Sequence, residues 1–156
     1  MMLRDNASPE IIAKSAAIGL FVAFFIPVGL QIPLALLFAY LLKARKIVSL
    51  IFTLPTNIYT IIFIYPVQCW VGGKLLRINL SYSALGKTFN DLSENFSFPE
   101  FLELGTEIIA AFFAGGLLFG VLCAIIGYFT VYGIVMSYRQ RRKKRLAERL
   151  ISHHQQ

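Results

Sequence analysis

Apolar residues run almost unbroken through three stretches of the chain, Ala16–Leu42, Ile47–Leu76 and Ile108–Met136. Each is longer than the roughly 20 residues a helix needs to cross a bilayer core of about 30 Å. The second and third are joined by "RINLSYSALGKTFNDLSENFSFPEFLELG", where Phe89, Leu92, Phe96, Phe101 and Leu104 recur at helical spacing among polar residues. The third runs into the basic tail "YRQRRKKRLAERL". This pattern predicts an all-α integral membrane protein, one membrane domain over 1–156. Its parts are a helix and re-entrant hairpin over 7–46, a kinked transmembrane segment over 47–76, an outer amphipathic connection over 77–107, a transmembrane helix over 108–138, and a basic cytoplasmic helical tail over 139–156.

The first stretch is interrupted at its centre. Ser8, Pro9 and Glu10 open a helix with a capping hydroxyl, a proline in the first turn and an acid near the positive dipole end. That helix runs to about Phe25, because a residue before proline resists helical geometry and Ile26 precedes Pro27. Gly29 permits a reversal, and Pro33 suits the first turn of a second helix ending near Leu42. Each apolar arm has about 11–13 residues, or roughly 17–20 Å, enough to reach the middle of a bilayer. Two readings stay open: one kinked span with its N-terminus outside, or a re-entrant hairpin entering and leaving on the cytoplasmic side. Broken backbone at membrane depth must be buried in protein or line a wet cavity. Gln31, beside the break, either satisfies the freed backbone groups or meets a polar substrate.

The second stretch carries Pro55, Thr56 and Asn57 near its start and Pro66 and Gln68 near its end. It is read as a span with two kinks, with Tyr65 and Trp70 in an outer aromatic belt. The alternative is a second hairpin turning near Pro55–Asn57. In either case Asn57 is expected near Gln31. The third stretch holds no proline from Leu104 to Met136. Gly105, Gly116, Gly120 and Gly127 fall on one helical stripe, and Gly116 and Gly120 form a GxxxG pair that admits close helix packing.

Composition fits this picture. The chain of 156 residues is 57% hydrophobic and 15% charged, against about 45–50% and about 25% in soluble domains. The apolar run after the N-terminus is too long for a signal peptide and ends in Lys43, Arg45 and Lys46 rather than at small residues, so the first segment is expected to be retained. Cys69 and Cys123 have no ligand residues at metal-binding spacing.

Charge orients the chain. The formal net charge is +7. Arg139, Arg141, Arg142, Lys143, Lys144, Arg145 and Arg149 face one acid, Glu148. Such clusters mark the cytoplasmic side and are drawn to anionic headgroups. Lys43, Arg45 and Lys46 belong on the same side. Between Lys74 and Glu107 acids outnumber bases, which places that segment outside. There Ser97, Pro99 and Glu100 read as the start of a short helix, and the amphipathic segment, Phe89 included, is expected on the outer membrane surface with its phenylalanines in lipid. No nucleic-acid module accompanies the basic tail, so nucleic acid is not an expected partner.

The series Ser8-Pro9, Ala17-Ile18-Gly19-Leu20-Phe21, Pro27-x-Gly29-x-Gln31 and a following Pro/Thr/Asn cluster resembles the bacterial membrane family "domain of unknown function 2062" over about residues 7–76. That family usually carries Asn before Pro in its second segment, whereas this chain has Pro55-Thr56-Asn57. Its domain is sometimes joined to glycosyltransferase-like or methyltransferase-like domains, so the resemblance implies cell-envelope or lipid-carrier work. The broken hairpin also looks like that of DedA-type proteins, which handle lipid phosphates.

No catalytic set appears. The two histidines, His153 and His154, lie near the C-terminus, and no phosphate loop or metal cluster is present in the sequence. The expected function is non-enzymatic and needs no cofactor or metal: binding or translocating an anionic lipid or polyprenyl phosphate in the bacterial inner membrane. Its substrate-binding candidates are Pro27, Gly29, Gln31, Asn57, Lys43, Arg45 and Lys46. Gly116, Gly120 and Gly127 are the helix-packing candidates, and Arg139, Arg141, Arg142, Lys143, Lys144 and Arg145 the headgroup candidates. The competing function is a non-catalytic assembly or stabilising subunit of a larger membrane complex. A homo-oligomer or partner membrane subunits are expected on either reading.

Overall fold

The structure, a computed structural model, describes residues 8–57, 59–94 and 98–154. Among them every regular element is a helix: α1 (Pro9–Phe25), α2 (Gln31–Leu41), α3 (Lys46–Ile51), α4 (Ile61–Leu75), α5 (Tyr82–Glu94), α6 (Phe98–Leu102) and α7 (Thr106–His154). The expected Ser97 cap, and the N-terminal residues before Ser8, lie outside the described residues.

α1 starts where local chemistry places it. Ser8 Oγ accepts from the Ile11 N–H at 3.3 Å, and Pro9 occupies the first turn. It stops at Ile26, which is extended (φ −107°, ψ 132°) ahead of Pro27. Gly29 then takes φ +99°, a left-handed conformation that costs glycine nothing, and the chain reverses into α2. At about 1.5 Å per residue, α1 (17 residues) is roughly 25 Å long and α2 (11 residues) roughly 16 Å.

α2 ends with Lys43 at φ 51° while the Ala44 N–H reaches back to the Ala39 carbonyl at 2.7 Å. Arg77 ends α4 in the same way, at φ 61°, with Ile78 N–H on the Gly73 carbonyl at 2.8 Å. Both are left-handed helix ends occupied by a cation instead of glycine. A cation next to the last turn is favoured by the negative pole of a helix, which offsets part of the backbone strain.

The stretch 47–76 is not one kinked helix. It divides into α3 and α4, joined through turns at 52–57 and 59–60. Pro55 has no N–H to continue a helix, and Asn57 stabilises the turn by accepting from the N–H groups of Tyr59 (2.9 Å) and Thr60 (3.2 Å). α3 and its loop run along α1 in the same direction: Arg45 and Ser49 meet Ser15, and Thr56 meets Ala23. α4 continues past the hairpin tip.

α7 returns antiparallel to both. Val135 packs with Ile12 and Ala16, Gly116 lies against Phe24 and Gln68, and Gly115 and Ala111 lie against Gln68 and Gly72. Residues 43–48 and the start of the basic tail therefore gather at one end. α5 and α6 lie beside α4 towards the other.

The amphipathic connection folds differently from its sequence expectation. Phe89 and Phe101 are fully buried, and Leu85 nearly so, in a cluster with Ile61, Tyr65, Cys69 and Phe112. The apolar face of α5 is turned into protein, not lipid. Tyr65, expected in an outer belt, is also fully buried, edge-on to Phe89 at 5.4 Å and to Phe112 at 4.8 Å. Trp70 is partly exposed and is approached by Lys74 Nζ at 3.7 Å and by the Tyr82 ring at 6.4 Å.

α7 has the length and composition to cross a membrane, and only 28% of its most apolar window is buried inside the chain. A soluble core helix would be covered on most sides. This one presents the rest of its apolar surface outward.

Candidate functional site: the polar seam at the hairpin break

Breaking a helix at Pro27 frees specific backbone groups. In a continuous helix the Ala23 carbonyl would accept from residue 27 and the Phe24 carbonyl from residue 28. Pro27 has no N–H. The Val28 N–H is directed elsewhere, donating to Tyr65 Oη at 2.9 Å. Both carbonyls would be costly to leave unpaired in an apolar interior.

Side chains from later in the chain replace the missing donors. Gln31 Nε2 donates to the Ala23 carbonyl (2.9 Å), the Ile26 carbonyl (3.0 Å) and Thr56 Oγ1 (2.8 Å), so its two hydrogens are shared among three acceptors. Thr56 Oγ1 itself donates to the Ala23 carbonyl at 2.7 Å. Gln68 Nε2 bridges the Phe24 carbonyl of α1 and the Phe112 carbonyl of α7, each at 3.0 Å. Its Oε1 is buried with no hydrogen-bond partner among the described residues. Lower down, Ser15 Oγ accepts from the Arg45 N–H (2.7 Å) and thereby caps α3, while Ser49 Oγ donates to the Ser15 carbonyl (2.9 Å). One seam of neutral polar groups thus ties the hairpin to α3, α4 and α7.

The sequence-selected residues fall into three groups. Gln31 is 5% exposed and its amide nitrogen is committed to backbone, so this geometry gives it to the fold and not to a ligand. Pro27 is buried and Gly29 exposed at the tip. Asn57 does not join Gln31. Its Nδ2 donates to the Leu54 carbonyl at 3.2 Å and it holds its own turn, while the neighbouring Thr56 occupies the place expected of it.

Lys43, Arg45 and Lys46 are exposed at the open end of the hairpin, with Lys46 Nζ 5.2 Å from the Tyr40 ring centre. Arg139 is half-buried, and Arg141, Arg142, Lys143, Lys144 and Arg145 are exposed along the continuation of α7.

The glycines are more selective than the stripe suggested. Gly105 does not belong to the helix: it precedes α7 at φ +90°, with open space where a Cβ would stand. A Cβ on Gly116 would come within 2.6 Å of the Phe24 carbonyl oxygen, one on Gly120 within 3.2 Å of Phe21, and one on Gly127 would meet Leu20. Gly72 and Gly115, outside that stripe, are tighter still. Their Cβ positions are taken by the carbonyl oxygens of Ala111 and Gln68.

Thr56, Tyr65, Gln68, Ser15 and Ser49 were not selected as site residues. The signal for them was a polar group inside an otherwise apolar run, but it did not reveal which carbonyl each would serve. The described residues contain no group of three or more His, Cys, Asp or Glu close enough to hold a metal ion.

The family described as "Uncharacterized protein conserved in bacteria (DUF2062)" matches residues 1–144. The chain belongs to the DUF2062 family. The match extends well beyond the resemblance carried by residues 7–76 and adds α5, α6 and α7 as far as Lys144, so the helices that complete the seam are part of the DUF2062 unit. No curated protein and no solved structure matches this DUF2062 chain.

Proposed function

We propose that this DUF2062 protein is a multi-pass protein of the bacterial cytoplasmic membrane that binds an anionic lipid or polyprenyl phosphate on the cytoplasmic side, without catalysis. The observation that carries this reading is the gathering of Lys14, Lys43, Arg45, Lys46 and the basic continuation of α7 around the open end of the hairpin. Cations so placed favour the cytoplasmic face and anionic headgroups. The exposed apolar side chains of α7 extend from Leu117 to Tyr138, roughly 32 Å at about 1.5 Å per residue, which suits a hydrocarbon core of about 30 Å. In this reading α1 and α2 enter and leave from the basic end, and α3, its loop and α4 together cross. Because Gln31 and Asn57 are engaged within the chain, passage of a head group through the break has less support than binding beside it.

Two measurements test the reading. In a background lacking Cys69 and Cys123, Asp5→Cys and Lys43→Cys should resist a membrane-impermeant thiol reagent added from outside, and Ser83→Cys should react. Outside labelling at position 5 would replace the hairpin with a kinked span. Mass spectrometry of the purified protein should find an anionic lipid enriched over its share in the membrane. Bulk lipid proportions would count against lipid recognition.

One observation favours the alternative, an assembly subunit. Gly133 faces open space on α7 and, with Thr130, Ser137 and Arg141, lines a shallow depression of about 550 Å³, where another helix could approach. Stoichiometric co-purification of other membrane chains would support it.

A further inference from the structure

α2 and α7 both pack on α1 but hardly on each other. The gap between them is a groove of about 420 Å³ that opens sideways. Its floor is Ala17, Ile18, Phe21 and Val22 of α1. Phe38 and Leu42 of α2 form one wall, and Val121, Ala124, Ile125 and Tyr128 of α7 form the other. Apart from one residue, the lining is apolar or aromatic.

The exception is Lys14, exposed at the end of the groove where Leu42 also lies. That end leads towards Lys43 and the basic tail. Lys14 neighbours Ile12 and Ala16 in sequence, and these pack with Val131 and Val135, about one turn inside the cytoplasmic limit of the apolar belt. A lysine at this depth can lay its stem on apolar surface and lift its ammonium to the headgroup level. Tyr128, stacked on Tyr132 with ring centres 6.2 Å apart, lies deeper, where the groove reaches the middle of the apolar side of α7. From Lys14 to Val22 the floor is roughly 12 Å long at about 1.5 Å per residue, the scale of the upper part of one acyl chain. The opposite side of α1 is held rigid: Gly19 meets Ser49 and Phe52, and Ser15 is bonded to Arg45 and Ser49.

We infer that the groove between α1, α2 and α7 seats one acyl chain of an anionic glycerophospholipid, with Lys14 holding its phosphate. This rests on the lipid-binding reading and gives it a site distinct from the hairpin break. The chain supplies apolar surface to the groove, the phosphate supplies the charge Lys14 lacks at that depth, and the second acyl chain remains in the bilayer. A zwitterionic lipid would fill the groove, but its own headgroup cation competes with Lys14 for the phosphate and weakens the attraction.

The test uses the full-length protein in nanodiscs of phosphatidylglycerol and phosphatidylcholine, followed by native mass spectrometry. The parent should retain phosphatidylglycerol selectively. Lys14→Gln should lower that selectivity about fivefold, the effect of one cation at a membrane surface. Ala124→Phe, which fills the groove from the α7 wall, should abolish retention, while Leu122→Trp on the outer face of α7 should leave it unchanged.

Because a variant can fail by misfolding, a second measurement uses the parent alone. Phosphatidylglycerol with a photoactivatable acyl chain should crosslink to residues 17–22 and 121–128. Several results would overturn the groove: selective retention that neither variant alters, crosslinks confined to other surfaces, or equal retention of phosphatidylcholine. The lipid-binding reading would survive the first two of these. Failure to retain any anionic lipid would remove both.

Discussion

Gln31→Leu is expected to destabilise the protein before it affects any ligand. Leucine fits the volume of the site but supplies no donor to the Ile26 carbonyl or to Thr56 Oγ1, and it leaves the Ala23 carbonyl to Thr56 alone. A buried group that loses its partner costs about 1–3 kcal/mol, and at least one does so here. The melting temperature in detergent should fall by about 2–12 °C, at about 2–4 °C per kcal/mol for a chain of this size.

The sequence left two roles open for Gln31, serving the freed backbone groups or meeting a polar substrate, and only the second puts lipid handling ahead of folding. The geometry favours the first because the amide points at backbone. Thr56→Val should behave similarly and Thr56→Ser should be mild, since the hydroxyl is what matters. In a double-mutant cycle the two losses should be non-additive, because only the double variant leaves the Ala23 carbonyl without either donor. A Gln31→Leu protein that melts with its parent would show that water or the detergent serves the carbonyls instead.

What could be read from the chain, and what could not, divides by the range of the interaction. The cap at Ser8, the stop at Ile26 and the turn at Gly29 are set by residues within a few positions of each other, and each is found where the rules for proline and glycine put it. The family resemblance rested on this local punctuation and on the Pro-x-Gly-x-Gln element, and the family match includes it. The partners of the break were not legible in the same way. Tyr65 lies 37 residues from Val28 and Gln68 lies 44 from Phe24. Nothing in the spacing of an apolar run says which of several polar groups will face a given carbonyl.

The same limit explains α5. A period of three to four apolar residues specifies a covered face but not what covers it, lipid or protein. Phe89 was assigned to lipid on that basis and is buried against Tyr65 instead. The glycine stripe failed at Gly105 because the count ran through a residue that precedes the helix. It also overlooked Gly72 and Gly115, which meet only after α4 is laid on α7.

The glycine substitutions should therefore separate by sign. Gly72→Ala and Gly115→Ala each place a methyl group where a backbone carbonyl already stands, Ala111 in one case and Gln68 in the other. Backbone cannot rotate aside as a side chain can, so α4 and α7 must part. Overpacking costs about 1–3 kcal/mol and occasionally more, and these two positions belong at the upper end. The parting also loosens the contacts of Tyr65 and Phe101 with Phe112 and moves Gln68 away from the Phe112 carbonyl. Gly116→Ala should be nearly as damaging, because one of its obstacles is the Phe24 carbonyl oxygen at 2.6 Å. Gly120→Ala should be milder, since its nearest obstacles, the ring and the carbonyl oxygen of Phe21, both stand back at 3.2 Å and need give only a few tenths of an ångström. Gly133→Ala and Gly86→Ala meet nothing within 4 Å and should raise the melting temperature slightly, because alanine is favoured over glycine inside a helix by roughly 0.5–1 kcal/mol. Thermal melts of the six single variants in one detergent give the ranking. If Gly72→Ala melts at or above the parent, the close approach of α4 to α7 is wrong, and the bridge from Gln68 to the Phe112 carbonyl falls with it.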